Sequence, residues 1–213
     1  MRVASGRRRL GVDFDNTVVR YDELLLREAE RRGLLPPKAM TCKREVRDWI
    51  RRLPEGEREW QRLQALMYGA KIQEATPAPG VAEFFACCRR HAVEVFIVSH
   101  KTRYAALDDQ AVDLWDAAMA WMRSHRFFEM EGFGLSPQHV YFEPTRAGKI
   151  ARISRLDCTH FIDDLEETFL EPGFPEGIQK ILYATVGPST HLPGVRIAAS
   201  WRDIMEGLFD AGP

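Results

Sequence analysis

Two aspartates one residue apart, Asp13 and Asp15, followed by Asn16 and Thr17, are the first residues of this chain whose types and spacing could do chemistry. Side chains alternate between faces along an extended strand, so both carboxylates of an Asp-x-Asp pair point the same way. Held close, they repel each other unless a cation or a proton intervenes. A hard divalent ion is the economical solution. A second acidic pair, Asp163-Asp164, brings the set to three or four carboxylates, which with backbone carbonyls and water make a ligand set for Mg2+. No convergent His/Cys set favours zinc. Ser99 and Lys149 add a hydroxyl donor and a positive charge, which a phosphoryl group needs where its own charge and the carboxylates would otherwise repel. Each residue alone has a plainer reading: acidic pairs are common on surfaces, begin turns and cap helices, and a lone Ser or Lys signifies nothing. Together, in this order, they describe a phosphate site.

These groups can act together only if the fold delivers them to one place. Five apolar runs read as buried strands: 10–14, 93–98, 139–142, 159–162 and 180–184. Helical patterns lie between them, which predicts an α/β fold with a parallel sheet. Such sheets take ligands outside the carboxyl ends of their strands. Asp13 and Asp15 close the first run, Ser99 follows the second, Asp163 and Asp164 follow the fourth, and Lys149 stands at a predicted helix start. Val81, Phe84, Phe85 and Cys88 form an apolar stripe before the second strand, and Val112, Trp115, Met119 and Met122 form one after it; both are read as core packing.

The first crossover is too long for its task, since about 75 residues separate Asp15 from the second strand and a βαβ unit needs roughly 30. Three helical stripes fill it: Tyr21, Leu24, Leu25 and Ala29; Val46, Trp49, Ile50 and Leu53; and Trp60, Leu63, Met67 and Ala70. They end at the Pro- and Gly-containing break over 77–80. The spacing predicts a small helical insert over 20–76 in a core made of 1–19 and 77–213. A small helical lid is the natural reading, and an extra helical layer packed on the sheet is the plainer alternative.

Composition narrows the class. With 213 residues, 45% of them apolar and 29% charged, the chain can bury a core and matches a globular domain, not a disordered one. A formal charge of -1 gives no global field for a polynucleotide or an anionic membrane, so neither is expected as a partner. The four cysteines, Cys42, Cys87, Cys88 and Cys158, have no metal or redox spacing and are read as free thiols, which suits a reducing cytoplasm. Residues 1–9 carry four arginines but lead only into a short strand-like run, so they are read as neither signal peptide nor anchor. No segment approaches the length of a membrane span.

Gly11-Val12-Asp13-Phe14-Asp15-Asn16-Thr17 resembles the first motif of the haloacid dehalogenase superfamily, Phe96-Ile97-Val98-Ser99 its second, Lys149 its third, and Phe161-Ile162-Asp163-Asp164 its fourth. The resemblance covers 11–164; its first motif is specific, and the isolated Ser and Lys are not. It implies a Rossmann-like three-layer sandwich with strand order 5-4-1-2-3 and places the insert where many members carry a helical cap. It also implies roles. Asp13 would be the nucleophile that forms an aspartyl-phosphate, and Asp15 the acid that protonates the leaving group and then activates water. Mg2+ would be held by the Asp13 carboxylate, the Asp15 backbone carbonyl and Asp163, with Asp164 through water or one layer out. Thr17 and Ser99 would position phosphoryl oxygens, and Lys149 would offset the charge of Asp13 and the phosphoryl group. Dehalogenases of this resemblance lack an acid at the Asp15 position, so Asp15 favours phosphate esters.

Other readings remain open at this level. A phosphotransferase or mutase would carry the same residues, and a catalytically silent binding protein could share the scaffold. A receiver-type signalling domain has a different order of acidic groups, and a nucleic-acid phosphatase calls for a basic stripe that is missing. Lys101, Arg103 and Arg146 flank the second and third motifs and are possible contacts for a second anionic group on the substrate. A sugar phosphate or nucleotide-like metabolite is the expected small substrate. Oligomeric state is not legible here.

Overall fold

The five apolar runs expected as strands all join one parallel sheet in the computed structural model of the chain, which describes residues 8–36, 40, 43–108, 110–185 and 192–210. Short single-turn helices aside, the elements in chain order are β1 (Arg9–Val12), β2 (Val19–Arg20), α1 (Asp22–Arg31), α2 (Lys43–Ile50), α3 (Gly56–Tyr68), β3 (Thr76–Pro77), α4 (Val81–Arg90) and β4 (Glu94–His100). They continue with α5 (Leu114–Ser124), β5 (Val140–Glu143), α6 (Arg146–Arg155), β6 (His160–Asp163), α7 (Glu166–Leu170), β7 (Gln179–Tyr183), β8 (Val195–Ala198) and α8 (Trp201–Met205). The sheet runs β5-β4-β1-β6-β7-β8, every neighbouring pair parallel. Read from its other edge, this is the expected order of five strands with a sixth, β8, added beside β7. The sixth strand had no clear signal in the sequence because Val195-Arg196-Ile197-Ala198 lies at the edge with Arg196 and Ile197 exposed, and so lacks a continuous apolar run.

Contacts divide the chain into two compact units, 1–18 with 77–101 and 125–213, and 19–76 with 102–124. In the first, strand alternation sends alternate residues to opposite faces. Phe96 and Val98 of β4 pack with Ile150 and Ile153 of α6 and with Phe169 of α7. Trp201 of α8 stacks near Phe84 of α4 and Tyr183 of β7, with ring centroids 4.6 and 5.7 Å away. Three layers result. Cys87 and Cys88 lie in α4 and are buried free thiols, as is Cys158; burial pushes Cys88 up to about 12 and Cys158 up to about 11. Cys42 and residues 1–7 lie outside the described residues.

Gly11 of β1 lies opposite Phe161 of β6. A Cβ there would lie 2.5 Å from Phe161 Cδ2 and 3.1 Å from Cys158 Sγ, and the Phe161 ring is fully buried. Gly11→Ala is therefore expected to destabilise the fold by about 1–3 kcal/mol, the usual cost of overpacking. Thermal melts of the variant alone and combined with Phe161→Leu check this: the second change should recover part of the loss, and equal melting of Gly11→Ala and wild type would refute the close packing.

The second unit is helical. Leu24, Leu25 and Ala29 of α1, Val46 and Ile50 of α2, and Trp60, Leu63 and Met67 of α3 are all buried, as their spacing predicts. Trp49 is instead 37% exposed, its indole N–H donating to the Leu34 carbonyl at 3.1 Å, and Ala70 is exposed. Glu28 is buried, with Lys71 at 2.7 Å and Arg31 at 2.8 Å. Burial works against its charge, but these cations more than offset it and hold its carboxyl below the usual range. The unit also takes α5, which the sequence pattern alone left with the core. Leu114, Ala118, Trp121 and Met122 are the buried face of α5, and the Trp121 indole donates to the Ala75 carbonyl at 2.9 Å. A stripe after β4 serves either unit equally, so linear order could not assign it; Val112, Trp115 and Met119 are only half-buried. No helix among the described residues is long and apolar enough to cross a membrane.

Candidate active site

Strand register decides which polar residues meet. Val12 of β1 lies opposite Ile97 of β4 and Ile162 of β6, so the next residue, Asp13, is level with Asp163 and one step short of Ser99. The Asp13 N–H donates to the Ile162 carbonyl at 2.9 Å and extends the ladder by one rung. The chain then turns sharply. Val18 N–H donates to the Phe14 carbonyl at 3.0 Å, Asn16 takes a left-handed φ of 61°, which asparagine tolerates, and the Trp201 indole donates to the Thr17 carbonyl at 3.2 Å. Thr17 is fully buried, and its hydroxyl oxygen has no hydrogen-bond partner among the described residues. Ser99, on β4 opposite Phe142, is buried as well.

Lys149 comes from the first turn of α6, whose start is set by Thr145: its hydroxyl accepts from Gly148 N–H at 3.0 Å. A cation at a helix N-terminus opposes the macrodipole and needs compensation. It finds two carboxylates, with Nζ 2.6 Å from Asp13 Oδ1 and 2.6 Å from Asp163 Oδ2, while Asp163 Oδ1 accepts from Leu165 N–H at 2.9 Å. Burial disfavours the Lys149 charge, yet the two carboxylates hold its pKa above the ordinary lysine value. Burial also pushes Asp13 up to about 7 against the pull of Lys149, with the charges of Asp163 and Asp15 adding to the rise.

Carboxylate oxygens of Asp13, Asp163 and Asp164 all lie within 4.8 Å of one another. With all three ionised, the carboxylates and one ammonium carry two negative charges, which a single divalent cation cancels. The donors are all oxygen, so the three could hold a hard divalent ion. The Asp15 carboxylate is not one of this group: its Oδ2 pairs with Lys101 Nζ at 2.7 Å. Lys101 is thus not the solvent-facing cation that its place among possible substrate contacts suggested. It is 4% exposed and bound to an acidic residue. The signal was present in the sequence, because Lys101 lies two residues beyond Ser99 on the same strand line, and alternation turns both the same way. Arg146 is half-exposed and pairs with Glu171 at 3.3 Å; after burial, the charges of Lys149 and Arg146 both help lower the pKa of His100. Arg103 belongs to the second unit, where it is exposed and pairs with Asp113 at 2.6 Å. The Trp201 contact had no sequence signal, since a tryptophan near the end of the chain reads as core.

No protein-family model and no curated protein matches the chain. Solved structures do. A haloacid dehalogenase-like hydrolase from Streptococcus pneumoniae superposes with a TM-score of 0.59 at 16% identity, covering 94% of this chain and 98% of that one. A protein described as a dehalogenase gives 0.56 at 12% identity, covering 97% and 99%. A haloacid dehalogenase family hydrolase from Deinococcus radiodurans, its structure holding phosphate and sodium, gives 0.52 at 14% identity over 97% and 96%. The chain has the haloacid dehalogenase-like fold along nearly its whole length, with an acidic cluster and a buried lysine at the carboxyl ends of adjacent central strands.

Proposed function

We propose that the protein is a Mg2+-dependent phosphatase that hydrolyses a small phosphorylated metabolite, a sugar phosphate or nucleotide-like compound, through an aspartyl-phosphate on Asp13. The observation that carries this reading is Lys149 bridging Asp13 and Asp163 inside a three-carboxylate cluster. In this reading Asp13, Asp163 and the Asp15 main-chain carbonyl would hold the cation, with Asp164 behind them, and when bound it would supply charge stabilisation to the phosphoryl group. Asp13 attacks phosphorus while Lys149 offsets the charge that accumulates between them. Thr17 and Ser99 donate hydroxyl hydrogen bonds to phosphoryl oxygens. The buried, unpartnered Thr17 oxygen supports that role. Asp15 gives a proton to the departing alkoxide, then takes one from the water that attacks the aspartyl-phosphate, releasing inorganic phosphate and restoring Asp13.

Fold neighbours include a protein described as a dehalogenase, so the fold by itself leaves the leaving group open. Asp15 favours an ester, because an alkoxide needs a proton and a halide does not. The phosphate held by the Deinococcus radiodurans neighbour agrees with that preference. The second unit is proposed as a cap that selects small substrates, comprising the insert expected over 20–76 and the added segment 102–124.

Release of inorganic phosphate from a panel of phosphorylated metabolites with Mg2+ tests the reading. Activity should vanish with chelator, return with Mg2+, and be inhibited by Ca2+, whose larger radius and taste for bidentate carboxylates spoil in-line attack by Asp13. Full activity in metal-free buffer would overturn the metal assignment. Phosphoryl transfer to an added hydroxyl compound without phosphate release would instead identify a phosphotransferase, and inertness on the whole panel a silent binding protein.

A further inference from the structure

The two aspartates of the first motif are served by two different lysines. Lys149 holds Asp13 together with Asp163, whereas Asp15 has Lys101. Lys101 is placed by its main chain: its N–H donates to the Glu143 carbonyl at 2.9 Å, one rung past the end of β4, and the next residue belongs to the second unit. Its side chain is 2% exposed, with Nζ 2.7 Å from Asp15 Oδ2 and 5.8 Å from the centroid of the Phe14 ring. A buried ammonium is costly away from a counter-charge, so this one stays with the carboxylate it has.

We propose that Lys101 is the positioning residue of Asp15, holding its carboxylate apart from the acidic cluster so that it can serve the leaving oxygen; this rests on the reading of Asp15 as general acid and base. Without Lys101 the 2.7 Å ion pair that fixes the Asp15 carboxylate is gone, while Lys149 stays with Asp13 and Asp163. The division also gives a reason for a lysine two residues beyond Ser99: it fixes the second aspartate as Lys149 fixes the first.

The experiment is a double-mutant cycle on Lys101→Met and Asp15→Asn, read with p-nitrophenyl phosphate and with the best alkyl phosphate of the panel. Lys101→Met should lower kcat on the alkyl phosphate by about 10²-fold, the lower end of what general acid–base catalysis contributes, and change p-nitrophenyl phosphate turnover by less than about threefold. The double variant should be no slower than Asp15→Asn alone, and Lys101→Arg should recover part of the loss. Additive losses with a raised KM would make Lys101 a direct substrate ligand and overturn the proposal. So would unchanged turnover in Lys101→Met, or failure of both Lys101→Met and Lys101→Arg to fold, which would make the lysine structural. Failure of the underlying reading looks different: wild type inert on the panel, or Asp15→Asn equally active on both substrates.

Discussion

Asp13→Asn is expected to abolish turnover while leaving the protein folded. Asparagine keeps the shape of aspartate and can still accept from Lys149 Nζ, which also retains Asp163 at 2.6 Å. No charge is left without a partner, and a buried carboxyl already pushed up to about 7 by burial becomes a neutral amide of similar size. The amide oxygen does not attack phosphorus, so the loss should be roughly 10⁴-fold or more, the order seen when a covalent nucleophile is removed. Two measurements are needed. Melting of the variant within a few degrees of wild type shows that the fold survives, and acid quenching after exposure to a labelled substrate should leave label on wild type and none on the variant. Near-wild-type turnover of any accepted substrate would remove Asp13 from its role.

Much of the arrangement was legible because a parallel sheet converts sequence position into spatial position. Runs such as Val95-Phe96-Ile97-Val98 are apolar on both faces, which only a buried central strand requires, and the residues just beyond such runs land on one rim of the sheet. Asp13, Ser99 and Asp163 could therefore be brought near one another from their order alone, and Lys149 joined them because helix starts fall on the same rim. The edge strand β8 was invisible for the opposite reason: half-exposed strands carry charges, and Arg196 breaks the pattern.

Partners of side chains were less legible than their neighbourhoods. The sequence does not name the partner of Lys101, which is buried against Asp15, nor that of Arg103, two residues on, which is exposed and bound to Asp113. Strand alternation gave the hint, but a cation near a phosphate site reads as a substrate contact until its burial is known. The expected core over 77–213 and the grouping of α5 with the second unit differ because an amphipathic stripe records that a face is buried and not what buries it.

Lys149→Met should have the second large effect, and it separates the two tasks of a buried cation. In wild type the ammonium lies between Asp13 and Asp163, both buried, with Asp164 close by. Methionine of similar length removes the charge and leaves facing carboxylates in a site shielded from water. Breaking a buried ion pair from one side typically costs about 3–5 kcal/mol, a large share of the roughly 5–15 kcal/mol by which domains are stable. In chelator the variant should therefore melt far below wild type. A divalent ion at the cluster supplies the missing charge, and an ion that binds only the folded state stabilises it in proportion to its affinity. Added Mg2+ should then raise the melting temperature of Lys149→Met well beyond the rise it gives wild type, because the ion no longer competes with an ammonium for Asp13 and Asp163. Turnover should stay low even in saturating Mg2+, since the lysine that offsets charge between nucleophile and phosphoryl group is gone. Equal Mg2+-induced shifts in wild type and variant would mean that the cation binds elsewhere, and full activity of the Mg2+-loaded variant would leave Lys149 with a purely structural task.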